Sequence, residues 1–545
     1  MTENPSLVAA RTLVATLIAA DVPAVAYCPG SRNAPFAYAL AQAEDDHRLE
    51  VATFGDERSA GFWALGYAKA AGAPVAVVTT SGTAVSELHP AVLEASHQEV
   101  PLVIITADRP HSMRGVGASQ TTAQEGIFGC STFNASIPAD VTAMDQTGAV
   151  LARLVDTVRR EPGPAHLNVA FADPLIPATA APLPRVVVPK RVISAKVDPV
   201  WEDLCQPDLA TVVIAGDSAD PGVLRAAELR AVPIFSEPTS GLSSGGAQVP
   251  HASELLRSFA ETRRIEQVVV SGSPTLTRPV ARLLADPGVR KVVCSRNRVY
   301  PDVSGSAAVV AEGMRATEPK SPPASGWLDS WQAAAGLAQE AIWEVAGSSL
   351  NLVSAANLIW DSSQEADLWL AASNTVRAFD LVASGVKDRR IYANRGLAGI
   401  DGSLATAMGV AQGNQQPVRA VVGDLAFAAD VSSLAQRPGS QVRLQVIVLN
   451  DQGGGIFASL EHGGAPPNLY ERFFAVAPNI DVTAAAQAAG WKARKATTLE
   501  ELESALSAPV QGLQVIEVPI PRPADLLSRV SERIAEVLGR FSVPS

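Results

Sequence analysis

The sequence predicts an α/β chain of three domains, each built on a mainly parallel sheet flanked by helices. Three observations carry that expectation. Short runs rich in Val and Ile recur along the 545 residues, each closing on Gly, Ser, Asp or Asn. Ala-rich segments of helical character separate them, and continuous apolar strands of this kind belong to parallel sheets covered on both faces. Two Pro-rich stretches, 174–191 and 316–326, can continue neither a helix nor a central strand and read as linkers. They divide the chain into blocks of about 1–180, 190–318 and 327–545, and its length exceeds what one core can hold.

In the first block an amphipathic helix is expected from about Ser6, feeding the strand in AVAYCPG (24–30). PVAVVTTSG (74–82) and PLVIITADRP (101–110) supply further strands. The second block offers TVVIAGD (211–217) and QVVVSGS (267–273); the third offers LWLAAS (368–373), RAVVGD (419–424) and RLQVIVLND (443–451). Ligands of such sheets bind beyond the C-terminal strand ends, so chemistry is to be sought there.

Composition narrows the classes. Hydrophobic content of 47% and charged content of 18% fit a soluble globular protein. A net charge of −12 argues against a nucleic-acid or anionic-membrane binder, while leaving room for a local basic pocket. Cys28, Cys130, Cys205 and Cys294 form no CxxC pair, so neither a zinc knuckle nor a disulfide framework is expected, and the cytoplasm is the natural compartment. The apolar run between Arg11 and Asp21 is nine residues long, too short to span a membrane, and no signal peptide is evident.

Asp424 closes one strong strand and Asp451 the next, 27 residues later. A crossover helix fits that interval, so the two carboxylates are expected side by side at one sheet edge. Paired hard oxygens suit Mg²⁺, which takes its remaining ligands from phosphate and water. Gly453, Gly454 and Gly455 would let backbone approach a phosphate and would offer a carbonyl as a further ligand. Either acid alone reads more often as a turn or cap residue than as a ligand. A nicotinamide-binding fold is the competitor, but no strand here is followed by G-x-G-x-x-G.

With these residues in place the chain resembles the thiamine-diphosphate enzymes, whose signature pairs Gly-Asp with a later Asn. The resemblance implies that Gly423, Asp424, Asp451 and the Gly453 carbonyl hold Mg²⁺ (or Mn²⁺) and the diphosphate. Two departures stand out: Leu425 where the signature usually has Gly, and Asp451 where it usually has Asn. Such enzymes also use a glutamate beside the aminopyrimidine. Glu57 in ATFGDERSAGFWALGYAKA (52–70) is the candidate, following a strand and opening a helix. A helix-N-terminal acid is common for dipole reasons alone. The neighbouring loop TTSGTAVSELHPAVLEA (79–95), with Ser81, resembles the pyrimidine-side loop of the family and favours the functional role. The family arrangement implies at least a homodimer, or a dimer of dimers, with Glu57 of one chain serving cofactor held by another.

Five arginines follow strands: Arg32, Arg109, Arg278, Arg377 and Arg395. Arg at a strand-end edge can grip carboxylates through paired hydrogen bonds, although a single surface Arg usually does nothing. CPGSRNAPFAYAL, TADRP, ASNTVR, NRGLAGIDGSLATAMG and NDQGGGIF are together similar to the 2-succinyl-5-enolpyruvyl-6-hydroxy-3-cyclohexene-1-carboxylate synthases of menaquinone biosynthesis. In that family Gly-Asp-Leu is ordinary. The resemblance implies decarboxylation of 2-oxoglutarate and 1,4-addition of the product carbanion to isochorismate. It assigns Ser31, Arg32, Arg109, Gln120, Arg278, Ser373, Arg377 and Arg395 to the substrates, with Arg32, Ser373, Arg377, Arg395 and Glu57 in catalysis. Ile400 and Ile456 would flank the cofactor; ordinary core packing is their alternative. Another thiamine-dependent ligase or decarboxylase, and a non-catalytic cofactor-fold subunit, are the competing readings.

Overall fold

A computed structural model describes the chain except for residues 1–3, 130–131, 140–143, 180, 190–196, 242–244, 320–325, 384–388, 437–438, 440 and 542–545. Cys130 and parts of both Pro-rich stretches lie outside the described residues.

Three wholly parallel sheets follow one another. The first contains β1 (Ala24–Tyr27), β2 (Glu50–Thr53), β3 (Val75–Thr79), β4 (Leu102–Asp108), β5 (Phe133–Ile137) and β6 (Pro164–Ala170), in the order β2-β1-β3-β4-β6-β5. The second contains β7 (Thr211–Ala215), β8 (Ile234–Ser236), β9 (Gln267–Ser271), β10 (Arg290–Cys294) and β11 (Ala307–Ala311), ordered β11-β10-β9-β7-β8. The third contains β12 (Asp367–Leu370), β13 (Ile391–Tyr392), β14 (Val418–Gly423), β15 (Leu444–Asn450), β16 (Lys492–Lys495) and β17 (Leu513–Pro519), ordered β13-β12-β14-β15-β17-β16. Each strand expected above is present. Their central members are buried throughout, which is why they read as continuous apolar runs.

The first helix spans Pro5–Ala19, capped by Asn4, whose Oδ1 accepts from the Ser6 amide at 2.8 Å. It differs from the amphipathic helix expected: it packs against helices Ala34–Asp45 and Met144–Arg160, and most of its faces are buried. Its polar residues tolerate this because Thr12 and Thr16 return their hydroxyls to the carbonyls of Val8 and Thr12, at 2.9 and 2.7 Å.

The first and third domains share one core. Helix Glu57–Ala71 lies against helix Ser403–Gly413 so closely that a Cβ on Gly66 would fall 2.0 Å from the Thr406 carbonyl oxygen. A Cβ on Gly409 would fall 2.0 Å from that of Trp63. Trp63, Phe54, Leu404, Met408, Phe427 and Val448 join across this contact into a single apolar cluster. The middle domain is tied in by helix Trp327–Ala346. Its fully buried Trp331 meets Phe235 and Phe259 edge-on at 4.9 and 5.1 Å, and Trp327 Nε1 donates to the Thr211 carbonyl at 2.8 Å. Among the described residues no helix is long and apolar enough to cross a membrane.

Candidate active site

The third sheet positions the acidic pair. Gly423 of β14 lies opposite Leu449 of β15, so the chain leaves adjacent strands at Asp424 and Asn450–Asp451. The expected crossover helix is present and short: it begins at Asp424 itself, runs to Ala429 and gives way to a 3₁₀ turn over Val431–Ala435. Asp424 is buried; its Oδ1 accepts from the Leu425 amide at 2.8 Å and its Oδ2 from the Gly453 amide at 2.7 Å.

Beyond β15 the backbone turns through Gln452, Gly453 and Gly454 with φ of +62°, +87° and +44°. Asn450 braces this turn, donating to Glu517 Oε1 at 2.9 Å and accepting from the Gln452 amide at 3.1 Å. The glycines have a reason beyond the phosphate approach read from the sequence. A Cβ at 453 would come within 2.5 Å of the Ala475 carbonyl oxygen, one at 454 within 2.2 Å of that of Phe474, and one at 455 within 2.0 Å of Asp451 Oδ2. The turn is therefore held between the 474–477 backbone and the Asp451 carboxylate.

Burial, and then the charge of Asp424, push the Asp451 carboxyl up to about 6; burial also raises that of Asp424. Two carboxylates confined together in a partly dry place favour a divalent cation. A cavity of about 210 Å³, lined by Asp424, Asn450, Gln452, Ala477 and Pro478, opens beside them. Among the described residues no group of three or more His, Cys, Asp or Glu side chains could hold a metal, so a cation here takes its remaining ligands from backbone, phosphate and water. The residues fit Mg²⁺ carrying a diphosphate. Ile456 is half-buried and Ile400 is 37% exposed, so neither is ordinary core; Phe473 and Val476 add exposed apolar surface nearby in the chain.

The first sheet gathers a second set. Glu57 is the first residue of its helix, behind Asp56, which caps the Ser59 amide at 3.2 Å and accepts from Ser432 Oγ at 2.8 Å. Burial raises the Glu57 carboxyl above the usual range, and Asp56 and Glu87 add to the shift. Arg109 Nη1 donates to Ser81 Oγ at 2.5 Å and to the Gln120 carbonyl at 2.6 Å, while Gln120 Nε2 donates to the Ser81 carbonyl at 3.0 Å. Ser81, Arg109 and Gln120 thus form one unit. Arg32 donates to the Phe171 carbonyl at 2.9 Å and lies 3.5 Å from Asp173. Burial, and the positive charge of Arg32 after it, lower the pKa of Arg109, which places the two guanidinium groups in one neighbourhood. Ser31 beside them is exposed.

A third set lies where the middle and third domains meet. Arg395 is 7% exposed; its Nη2 donates to Thr275 Oγ1 at 3.1 Å and to the Thr275 carbonyl at 3.3 Å, and its buried Nε has no partner. Arg377 donates to the Ser373 carbonyl at 2.7 Å, and Ser373 itself sits at φ +78°, a strained conformation for a residue with a side chain. Loss of water, then the charge of Arg395 and that of Arg278, hold the Arg377 pKa below its ordinary value. Arg278 opens helix Arg278–Ala285 and pairs with Glu461 at 3.0 Å on the surface. Beneath them burial raises Asp380 to about 7 and Glu237 to about 8. Grouped cations above weakly ionised acids favour the approach of an anion.

Some expected partners are not joined within one chain. Among the described residues, no hydrogen bond or ion pair links Glu57, Arg32, Ser81, Arg109 or Gln120 to Asp424, Asp451, Arg377 or Arg395. Sequence reasoning missed Glu94, Thr275, Glu237 and Asp380. Nothing in HPAVLEASHQ distinguishes Glu94 from a solvated helix acid; domain packing brings Glu94, Thr275 and Glu237 to the arginines, while Asp380 shares the helix of Arg377.

The family described as "Thiamine pyrophosphate enzyme, N-terminal TPP binding domain" matches residues 8–127, and its C-terminal TPP binding domain counterpart matches residues 374–518. The chain is 39% identical to 2-succinyl-5-enolpyruvyl-6-hydroxy-3-cyclohexene-1-carboxylate synthase of Renibacterium salmoninarum, with 98% of each chain covered. It is 41% identical to the protein of the same name from Kineococcus radiotolerans, again over 98% of each, and 37% identical to that of Mycobacterium marinum, over 95% and 97%. Among solved structures, benzoylformate decarboxylase from Polynucleobacter necessarius shares the fold, with a TM-score of 0.69, 17% identity, and 96% and 99% of the chains covered.

Proposed function

The chain belongs to the 2-succinyl-5-enolpyruvyl-6-hydroxy-3-cyclohexene-1-carboxylate synthase family of thiamine pyrophosphate enzymes, and from that premise we propose how its residues divide the work on 2-oxoglutarate and isochorismate. The observation that carries the assignment is the grouping of Arg377 and Arg395, with Arg278 near enough to act on Arg377, where the middle domain meets the domain that bears Asp424 and Asp451. Both substrates carry carboxylates, and a guanidinium offers them paired donors.

Thiamine diphosphate, when bound, supplies the carbon centre at which a 2-oxoacid loses CO₂ and its remainder becomes a nucleophile. Asp424, Asp451 and the Gly453 carbonyl would hold Mg²⁺, or Mn²⁺, for the diphosphate, with Gly423 leaving room at the strand end. Ile400 and Ile456 would flank the cofactor and exclude water. Glu57, its carboxyl raised by burial, would hold a proton for a ring nitrogen of the aminopyrimidine, and Ser81 would contact the cofactor. Arg32, Ser373, Arg377 and Arg395 orient the reacting carboxylates, and Ser31, Arg109, Gln120 and Arg278 complete the substrate contacts.

Glu57 and the Asp424–Asp451 pair would serve one site from two chains, which requires at least a homodimer and permits a dimer of dimers. A cytoplasmic enzyme acting on small molecules accords with the net charge of −12.

The test uses purified protein with thiamine diphosphate, Mg²⁺ and 2-oxoglutarate, with and without isochorismate. The expected result is 2-oxoglutarate consumption that accelerates with isochorismate and yields the coupled product. Consumption indifferent to isochorismate, or efficient turnover of pyruvate, would overturn the reading. Glu57→Gln should retain cofactor binding and lose activity by a factor of about 100 or more, as removal of a general acid–base group does.

A further inference from the structure

We infer that Glu94, on a first-domain helix, is a positioning residue for Arg395: it grips the backbone that follows the arginine and so fixes the guanidinium in the substrate pocket. The inference rests on the reading of Arg395 as a substrate-binding group.

Glu94 lies in helix His89–Gln98 and is 3% exposed. Its two carboxylate oxygens accept from two successive amides of the third domain, Oε1 from Gly396 at 2.7 Å and Oε2 from Leu397 at 2.8 Å. A buried carboxylate satisfied by two backbone donors is a strong and directional anchor. The approach is close because residue 396 is glycine: a Cβ there would lie 2.9 Å from His97 Cβ and 3.0 Å from the Glu94 carbonyl oxygen.

Other groups hold the segment on the near side of the arginine. Lys69 donates to the Ala393 carbonyl and, at 3.0 Å, to Gln98 Oε1; Gln98 Nε2 donates to the same Ala393 carbonyl at 3.2 Å. Asn394 donates to Thr406 Oγ1 at 3.1 Å. Residues 393, 394, 396 and 397 are thereby fixed from outside their own loop, and the Arg395 tip is steered by Thr275 of the middle domain. An arginine with many rotatable bonds is thus presented in one orientation, with its ordering cost met before substrate arrives. A tie that only closed a loop would be served as well by one neutral acceptor. The paired acceptors of Glu94 instead fix both the position and the tilt of the peptide next to Arg395.

Glu94→Gln is nearly isosteric but offers one acceptor, leaving its NH₂ facing the second amide. The experiment compares the wild type, Glu94→Gln, Arg395→Ala and the double variant as holoenzymes, by steady-state kinetics with each substrate varied, thiamine diphosphate affinity and thermal unfolding. In Glu94→Gln, KM should rise roughly tenfold for the same substrate whose KM rises in Arg395→Ala, the effect of losing one strong hydrogen bond. Its kcat should stay within about twofold and its cofactor affinity should be unchanged. In the Arg395→Ala background the Glu94 change should add less than about twofold, because its effect passes through Arg395. If Arg395→Ala raises KM and Glu94→Gln does not, the positioning role is refuted while the substrate reading stands. A Glu94→Gln effect undiminished in the Arg395→Ala background refutes it as well, as does a lowered melting temperature without a change in KM. If Arg395→Ala itself leaves KM at the wild-type value, the substrate reading fails first.

Discussion

Asp451→Asn should stabilise the apoprotein, by an amount that grows as pH rises from the ordinary carboxyl pKa to that of the native carboxyl and is complete above it. In the folded chain this carboxyl is pushed from 3.8 to about 6, by burial first and by Asp424 second. A folded-state pKa above the unfolded value means that, between those two pH values, the folded chain keeps a proton the unfolded chain has lost. Stability therefore falls as pH rises through this window, and the penalty is complete above it. Two pKa units correspond to about 3 kcal/mol, an upper bound because the site is partly hydrated and its charge is shared with Asp424. Asparagine cannot ionise. The variant should gain up to about 3 kcal/mol near pH 7.5, about 1 kcal/mol near pH 4.5 and almost nothing near pH 3. Several domains make a single unfolding free energy ill-defined, so amide hydrogen exchange over residues 448–457 is the suitable assay, with melting temperature as the global check. Adding Mg²⁺ and thiamine diphosphate should protect the wild type more than the variant, reversing the order. A gain of equal size at all three pH values, or a loss of protection at pH 7.5 without metal, would refute the account of two confined carboxylates awaiting a cation.

Gly453→Ala combines a positive φ of +87° with a Cβ 2.5 Å from the Ala475 carbonyl oxygen, so the turn must distort. We expect a loss of about 1–3 kcal/mol in local stability, together with weaker Mg²⁺-dependent cofactor binding by titration. His166 is buried against Thr106, its ring nitrogen 2.8 Å from the hydroxyl, and burial lowers its pKa to about 4. The unfolded chain takes up a proton on this ring below about pH 6.5 and the folded chain only below about 4, so acidification across that range removes up to about 3 kcal/mol. His166→Gln should lack this slope; melting temperatures that fall in parallel for both proteins between pH 7 and 5 would refute it.

The strands and their ends were legible because a buried parallel strand must be apolar over its whole length and must leave the sheet through small or polar residues. Asp424, Asp451, Arg109 and Arg395 stood out for that reason alone. The length of the crossover after Asp424 was not legible, since the short helix 424–429 and a longer one leave the same spacing between the acids. Nor was the burial of helix Pro5–Ala19, whose threonines look polar in the sequence yet bond to their own helix. Glu94 and Thr275 were hidden for a deeper cause. Their role depends on which domains touch, and contacts between residues some 300 and 120 positions apart leave no periodic trace in one sequence.

The first and third sheets run in the same strand order, and helix Glu57–Ala71, between β2 and β3, packs on helix Ser403–Gly413, between β13 and β14. Those helices occupy equivalent places in the two halves, so their contact has the form of a self-complementary dimer interface drawn inside one polypeptide. Such an arrangement leaves each half free to differ at matching positions: the loop after β4 carries Arg109 and the loop after its counterpart β15 carries Asp451, a cation in one half and an acid in the other. The likeness of the halves lies in the order of strands and in which helices touch, and the chemistry lies in the loops where they differ.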